Sequence, residues 1–188
     1  MKRFFSVVMA ALVVTACDDT PKQFVGIVDD ASMNTVTAVD YVTGDKVTFS
    51  TEGADFSESV GILVGAPVVV DYRGEAVDGA RALKVVTDAT YINAVGRWIA
   101  SDPIDDAACV GVELFTEGRA ESINMATLRY TGWELQGEPG VIMLKGQSIG
   151  NGQTIDFTAD ALIYDENGLL LMALDGTDTV YRKAMENQ

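Results

Sequence analysis

From residue 24 to residue 183 the chain breaks again and again into short runs rich in Val, Thr, Phe and Tyr, each closed by Gly, Asn or Asp. Such runs suit half-buried pleated surfaces, and the residues between them suit tight reversals. No segment keeps a helical apolar period long enough to compete. The chain is therefore expected to be all-β, built from antiparallel strands.

The runs fall into two series. The first covers 24–29, 35–42, 46–51, 67–72 and 81–87. Thr43-Gly44-Asp45 supplies a turn in which Gly44 is free to take positive φ, so the second and third runs form a hairpin. Residues 52–65 between the third and fourth runs read as a short helix or a loop. Three strands, a connection and two strands resemble the order of a small five-stranded OB-like barrel; an SH3-like barrel or an irregular sheet has the same order. OB barrels often bind oligonucleotides through basic and aromatic surfaces. Residues 24–88 offer only Lys46, Arg73, Arg81 and Lys84 as cations, so that function does not follow.

Thr87-Asp88-Ala89-Thr90 breaks the pattern, and a second series starts near Val95. Its runs are 96–101, 110–117, 120–122, 128–136, 141–145, 154–164, 169–174 and 179–183. Short turns such as Gly150-Asn151-Gly152, Asn167-Gly168 and Asp175-Gly176 join them. A meander of this kind removes its edges by closing into a barrel. Alternation places Val112 and Leu114 on the inner face, with Leu128 and Tyr130; Trp133 and Leu135 follow the opposite parity. Gly132 between them marks a bulge that reverses the facing.

The second series, over 95–184, resembles the lipocalin-like domains of bacterial envelope lipoproteins. Gly96-Arg97-Trp98 stands where lipocalins carry Gly-x-Trp, and the segments 120–128, 133–135 and 146–154 resemble a pattern of one lipocalin-like lipoprotein family of uncharacterised function. The resemblance implies that Trp98 closes one end of the barrel and that Arg182, in Tyr181-Arg182, lies over it as a cation on an indole face. It implies a small apolar ligand, for which the candidate contacts are Trp98, Tyr130, Trp133 and Arg182. Aromatics of this kind more often build a core than touch a ligand, and short strands put a deep lumen in doubt.

The N-terminus carries an address. Lys2 and Arg3 precede an apolar stretch over residues 4–16, and this is the layout of a secretory signal. The stretch is too short to span a bilayer, which takes roughly 20 apolar residues. Val14-Thr15-Ala16-Cys17 resembles the bacterial lipobox, which implies cleavage before Cys17 and acylation of that residue. On this reading residues 1–16 are a signal peptide, 17–23 a tether, 24–88 the OB-like barrel and 95–184 the lipocalin-like barrel. The mature protein is then held in the bacterial envelope, at the outer membrane or a periplasmic face, by its acyl chains. Asp18-Asp19 falls at the sorting positions, whose meaning differs between bacterial groups, so the leaflet stays open.

Composition removes several functions. The sequence has no His, which excludes Ser-His and Cys-His dyads and histidine metal sites. With 28 acidic and 13 basic residues the net charge is −15, and it becomes −17 once Lys2 and Arg3 leave with the signal. That field repels phosphate backbones, so nucleic acid is not an expected partner. Cys109 is then the remaining thiol, without a histidine to activate it. Asp102, Asp105 and Asp106, and Asp175 with Asp178, read as solvated acidic turns rather than a calcium loop. No cofactor or metal is expected. The leading expectation is a non-enzymatic binding protein for a small apolar molecule or an envelope protein. The alternatives are an assembly or inhibitory module with a filled barrel, and a glycan-acting enzyme using paired carboxylates.

Overall fold

The computed structural model describes residues 20–105 and 107–184. Asp106, Cys17 and the whole signal and sorting segment, residues 1–19, lie outside the described residues. Among the described residues thirteen strands form two sheets, joined by one short α-helix.

The first sheet contains β1 (Lys22–Ala31), β2 (Thr35–Asp40), β3 (Lys46–Ser50), β4 (Pro67–Tyr72) and β5 (Ala82–Thr87), in the order β3-β2-β1-β4-β5. Its free edges turn back on each other through parallel bridges, Ser50 to Arg81 and Asp55 to Lys84. The order and the parallel closure give the five-stranded OB-like barrel. The connection 52–65 contains turns and no helix. Alternation on β1 sends Phe24 and Val28 inward and leaves Val25 and Ile27 exposed. Phe49 fills the centre, with Phe24 and Tyr72 rings 5.3 and 5.5 Å away. Each apolar side chain fully buried in this way stabilises the fold by about 1.5–3 kcal/mol.

The second sheet runs β6 (Gly96–Ser101), β7 (Cys109–Leu114), β8 (Ala120–Ile123), β9 (Leu128–Leu135), β10 (Val141–Gly150), β11 (Gln153–Glu166), β12 (Leu169–Leu174) and β13 (Val180–Lys183). The order β8-β7-β6-β13-β12-β11-β10-β9 is an antiparallel meander wrapped into a nearly closed barrel. β8 and β9 meet at the seam through a bridge between Arg119 and Gly132. The Ser122 hydroxyl adds two links there: it donates to the Leu128 carbonyl at 2.8 Å and accepts from the Tyr130 N–H at 2.7 Å. One side chain thus does the work of a missing ladder rung.

The bulge expected at Gly132 is present. Lys145 pairs with Gly132 and Gly146 with Tyr130, which leaves Thr131 as the extra residue. Tyr130 and Trp133 consequently both face inward, although their spacing is odd.

Where the sequence shows only a break at 87–90, the chain forms helix α1 (Ala89–Ala94). Asp88 caps it, accepting the Tyr91 N–H at 2.9 Å. Six residues are too few to show a helical apolar period, so only the capping aspartate could have signalled it. This helix joins the two barrels. Tyr91 is buried with its ring 5.2 Å from Trp133, and its hydroxyl accepts the Glu117 N–H at 3.2 Å while donating to the Val64 carbonyl at 3.4 Å. Gly65 makes room for that hydroxyl: a Cβ there would lie 2.4 Å from it. From the barrel side the Gly140 N–H donates to the Thr90 hydroxyl at 2.9 Å.

Candidate functional site

A binding protein of this architecture needs a concave, mostly apolar space of about 300–1,000 Å³. The first place to look is the interior of the larger barrel. Trp98, Val112, Ile142, Leu144 and Met172 are each 0% exposed there, so the central layers are closed by the protein's own side chains. The polar groups inside are satisfied: among the described residues no buried side-chain nitrogen or oxygen lacks a partner. The Trp98 indole donates to the Ala94 carbonyl at 2.7 Å, and the Trp133 indole donates to the Phe115 carbonyl at 2.8 Å. Both tryptophans are therefore core anchors at the end of the barrel nearer α1.

Tyr130 is buried as well, edge-on to Phe157 with ring centroids 5.7 Å apart. Burial, and then the neighbouring Tyr181 phenol that shares a hydrogen bond with it, raise the Tyr130 pKa far above the ordinary phenol range. Burial also raises Tyr181. Both rings stay neutral donors and acceptors, as an apolar interior requires.

Arg182 does not lie over Trp98. Tyr181 is buried and Arg182 exposed, and Lys183 pairs with Trp98 across the ladder. The cation over the indole is Lys183, whose ammonium is 5.7 Å from the ring centroid and donates to the Asn93 carbonyl at 2.6 Å. The reason is strand parity: side chains two apart share a face, so the inward set is Tyr181 and Lys183, with Arg182 pointing out.

The space the barrel lacks inside exists beside it. A groove of about 470 Å³ lies between the outer face of the first sheet and the turn from β9 to β10. Val25, Val69 and Val86 line it from the sheet, Pro67 and Tyr41 from its margins, and Leu135 and Pro139 from the turn. Its polar rim contains Asp88 and Glu138. Burial, and secondarily the charge of Asp88, raise the Tyr41 phenol pKa. None of Trp98, Tyr130, Trp133 and Arg182 lines this groove. A second depression, of about 570 Å³, follows the seam and is bordered by Tyr130, Ser122, Arg119, Arg129 and Glu121. It is more polar than the first.

The acidic turns hold themselves. Asp102 accepts the Ile104 N–H at 2.7 Å, and Asp105 accepts the Ala107 N–H at 3.0 Å. Among the described residues no group of three or more His, Cys, Asp or Glu comes together to hold a metal ion.

Comparison with known proteins bears on the larger barrel. Residues 91–184, half of the chain, match the family model described as lipocalin-like. The chain belongs to the lipocalin-like family. Its lipocalin-like match begins at Tyr91, inside α1, so it includes the residue that joins the barrel to the first sheet. A lipocalin-like protein from Bacteroides thetaiotaomicron, solved by crystallography, is 35% identical, with 48% of this chain and 96% of that one covered and a TM-score of 0.41. No curated protein matches the chain. Proteins of the lipocalin-like family are generally binding proteins rather than enzymes.

Proposed function

We propose that this lipocalin-like chain is a lipid-anchored, non-enzymatic protein of the bacterial envelope that binds a small apolar molecule in the groove between its two barrels. One observation carries the reading: the central layers of the barrel are filled with side chains, while the more apolar of the open spaces, a groove of about 470 Å³, lies at the junction. Junctions between folded units are where small-molecule sites tend to form. The anchor rests on the lipobox-like Val14-Thr15-Ala16-Cys17, five residues ahead of the first strand at Lys22. That tether spans at most about 18 Å when extended, so the first barrel and its groove stand close to the bilayer surface.

Two variants test the two halves of the proposal. Cys17→Ser should abolish acylation and leave either a soluble product or an uncleaved precursor; a product cleaved as before that still partitions with vesicles would refute the anchor. Val69→Arg puts a long charged side chain into the apolar floor of the groove, taking up its volume and opposing the burial of a neutral ligand there. It should weaken binding of a neutral apolar dye by about tenfold or more, equal to about 1.4 kcal/mol, without moving the melting temperature by more than a few degrees. Dye binding that is indifferent to this change places the ligand elsewhere.

A further inference from the structure

The groove has a sign as well as a shape. Its floor is aliphatic, and its charged rim is made of two carboxylates, Asp88 on one side and Glu138 on the other. No lysine or arginine occurs among the described residues that line it. The start of α1 at the groove, which would otherwise favour an anion, carries a carboxylate of its own. Asp88 caps the first turn of α1 by accepting the Tyr91 N–H, and the Thr90 hydroxyl receives the Gly140 N–H. The remote field agrees with the local one, since the whole chain has a net charge of −15.

From this juxtaposition we infer that the ligand of the groove is an apolar molecule bearing a protonated amine, its hydrocarbon on Val25, Val69 and Val86 and its ammonium between Asp88 and Glu138. The inference rests on the groove being the binding site and adds the charge of the ligand. Tyr41 contributes in the same sense. Its ring borders the groove, and an aromatic face attracts a cation. The influence of the Asp88 carboxylate on that phenol places its field inside the groove. A carboxylate ligand in the same pose would meet two like charges and no counter-ion, which costs affinity at every position along the rim.

Dodecylamine, dodecanol and dodecanoate share one hydrocarbon chain and differ in head-group charge. They are titrated below their micelle limits against a neutral fluorescent dye bound to the full chain carrying Cys17→Ser. Only displacement that Val69→Arg abolishes counts as occurring in the groove. The amine should displace the dye at a concentration about tenfold or more below that of the carboxylate, with the alcohol between them. The preference should shrink on adding salt. It should fall close to parity in Asp88→Asn/Glu138→Gln, where Asn still caps α1. Equal displacement by amine and carboxylate, or tighter carboxylate, overturns the charge selection and leaves the apolar groove standing. No displacement sensitive to Val69→Arg by any of the three overturns the groove itself.

Discussion

Trp98→Ala is expected to lower the stability of the larger barrel by about 3–5 kcal/mol, the usual cost of truncating a buried aromatic to alanine. The indole is 0% exposed and closes the α1 end of the barrel, so the deletion leaves a cavity that the surrounding strands cannot fill. It also leaves the Ala94 carbonyl without the donor that reaches it at 2.7 Å. Because Lys183 packs over the same ring, the last strand also loses this side-chain contact with the first strand of the barrel, and only the backbone ladder between them remains. Trp98→Phe separates the two effects. It keeps most of the apolar volume and removes the N–H, so about 1–2 kcal/mol should be lost. Urea unfolding followed through the remaining Trp133 measures both. An alanine variant with an unchanged midpoint would mean that Trp98 does not close the barrel.

Gly111→Ala should be comparably damaging for a different reason. A Cβ at Gly111 would lie 1.9 Å from the Trp98 carbonyl oxygen and 3.1 Å from the Ile99 Cα, and neither can yield without moving the β6 backbone. Gly26 is in the same situation in the smaller barrel, with a Cβ 2.2 Å from the Val39 carbonyl oxygen. Both glycines stand where a strand coils tightly over its neighbour to close a small barrel. Overpacking of this kind costs about 1–3 kcal/mol and more where only backbone can move. We expect about 3 kcal/mol, or failure to accumulate as a folded protein, for Gly111→Ala. Gly150→Ala, at the end of β10 with nothing within 4 Å of its Cβ, is the control and should be nearly neutral. Thermal melts of the two variants decide the matter; equal stability would refute the close approach.

The strands themselves were legible because a half-buried strand writes its period directly into the chain. The runs 67–72, 96–101 and 169–174 coincide with β4, β6 and β12, and the bulge at Gly132 follows from the odd spacing of Tyr130 and Trp133. β10 and β11 extend beyond the expected ends at Lys145 and Thr154, to Gly150 and Gln153. There the glycine-rich segment looks like a loop, and cross-strand hydrogen bonding over ten residue pairs outweighs local preference. Helix α1 left little signal because its stability comes from Tyr91 packing on Trp133, a contact between distant parts of the chain. The exchange of Arg182 for Lys183 has the same origin. Which of two adjacent cations faces the barrel depends on the register of β13 with β12 and β6, and register is a property of pairs of strands.

Local sequence therefore settled the all-β class, the two series of strands, most reversals and the apolar positions of the barrel core, because each of these depends on a residue and its near neighbours. Tertiary structure decided that the central layers of the barrel are filled and that an apolar open space lies beside it. The groove is assembled from Val25, Tyr41, Val69, Val86, Asp88 and Leu135, residues up to 110 positions apart that share no motif. They come together only because α1 and Tyr91 set one barrel against the other, and no one-dimensional spacing records that placement.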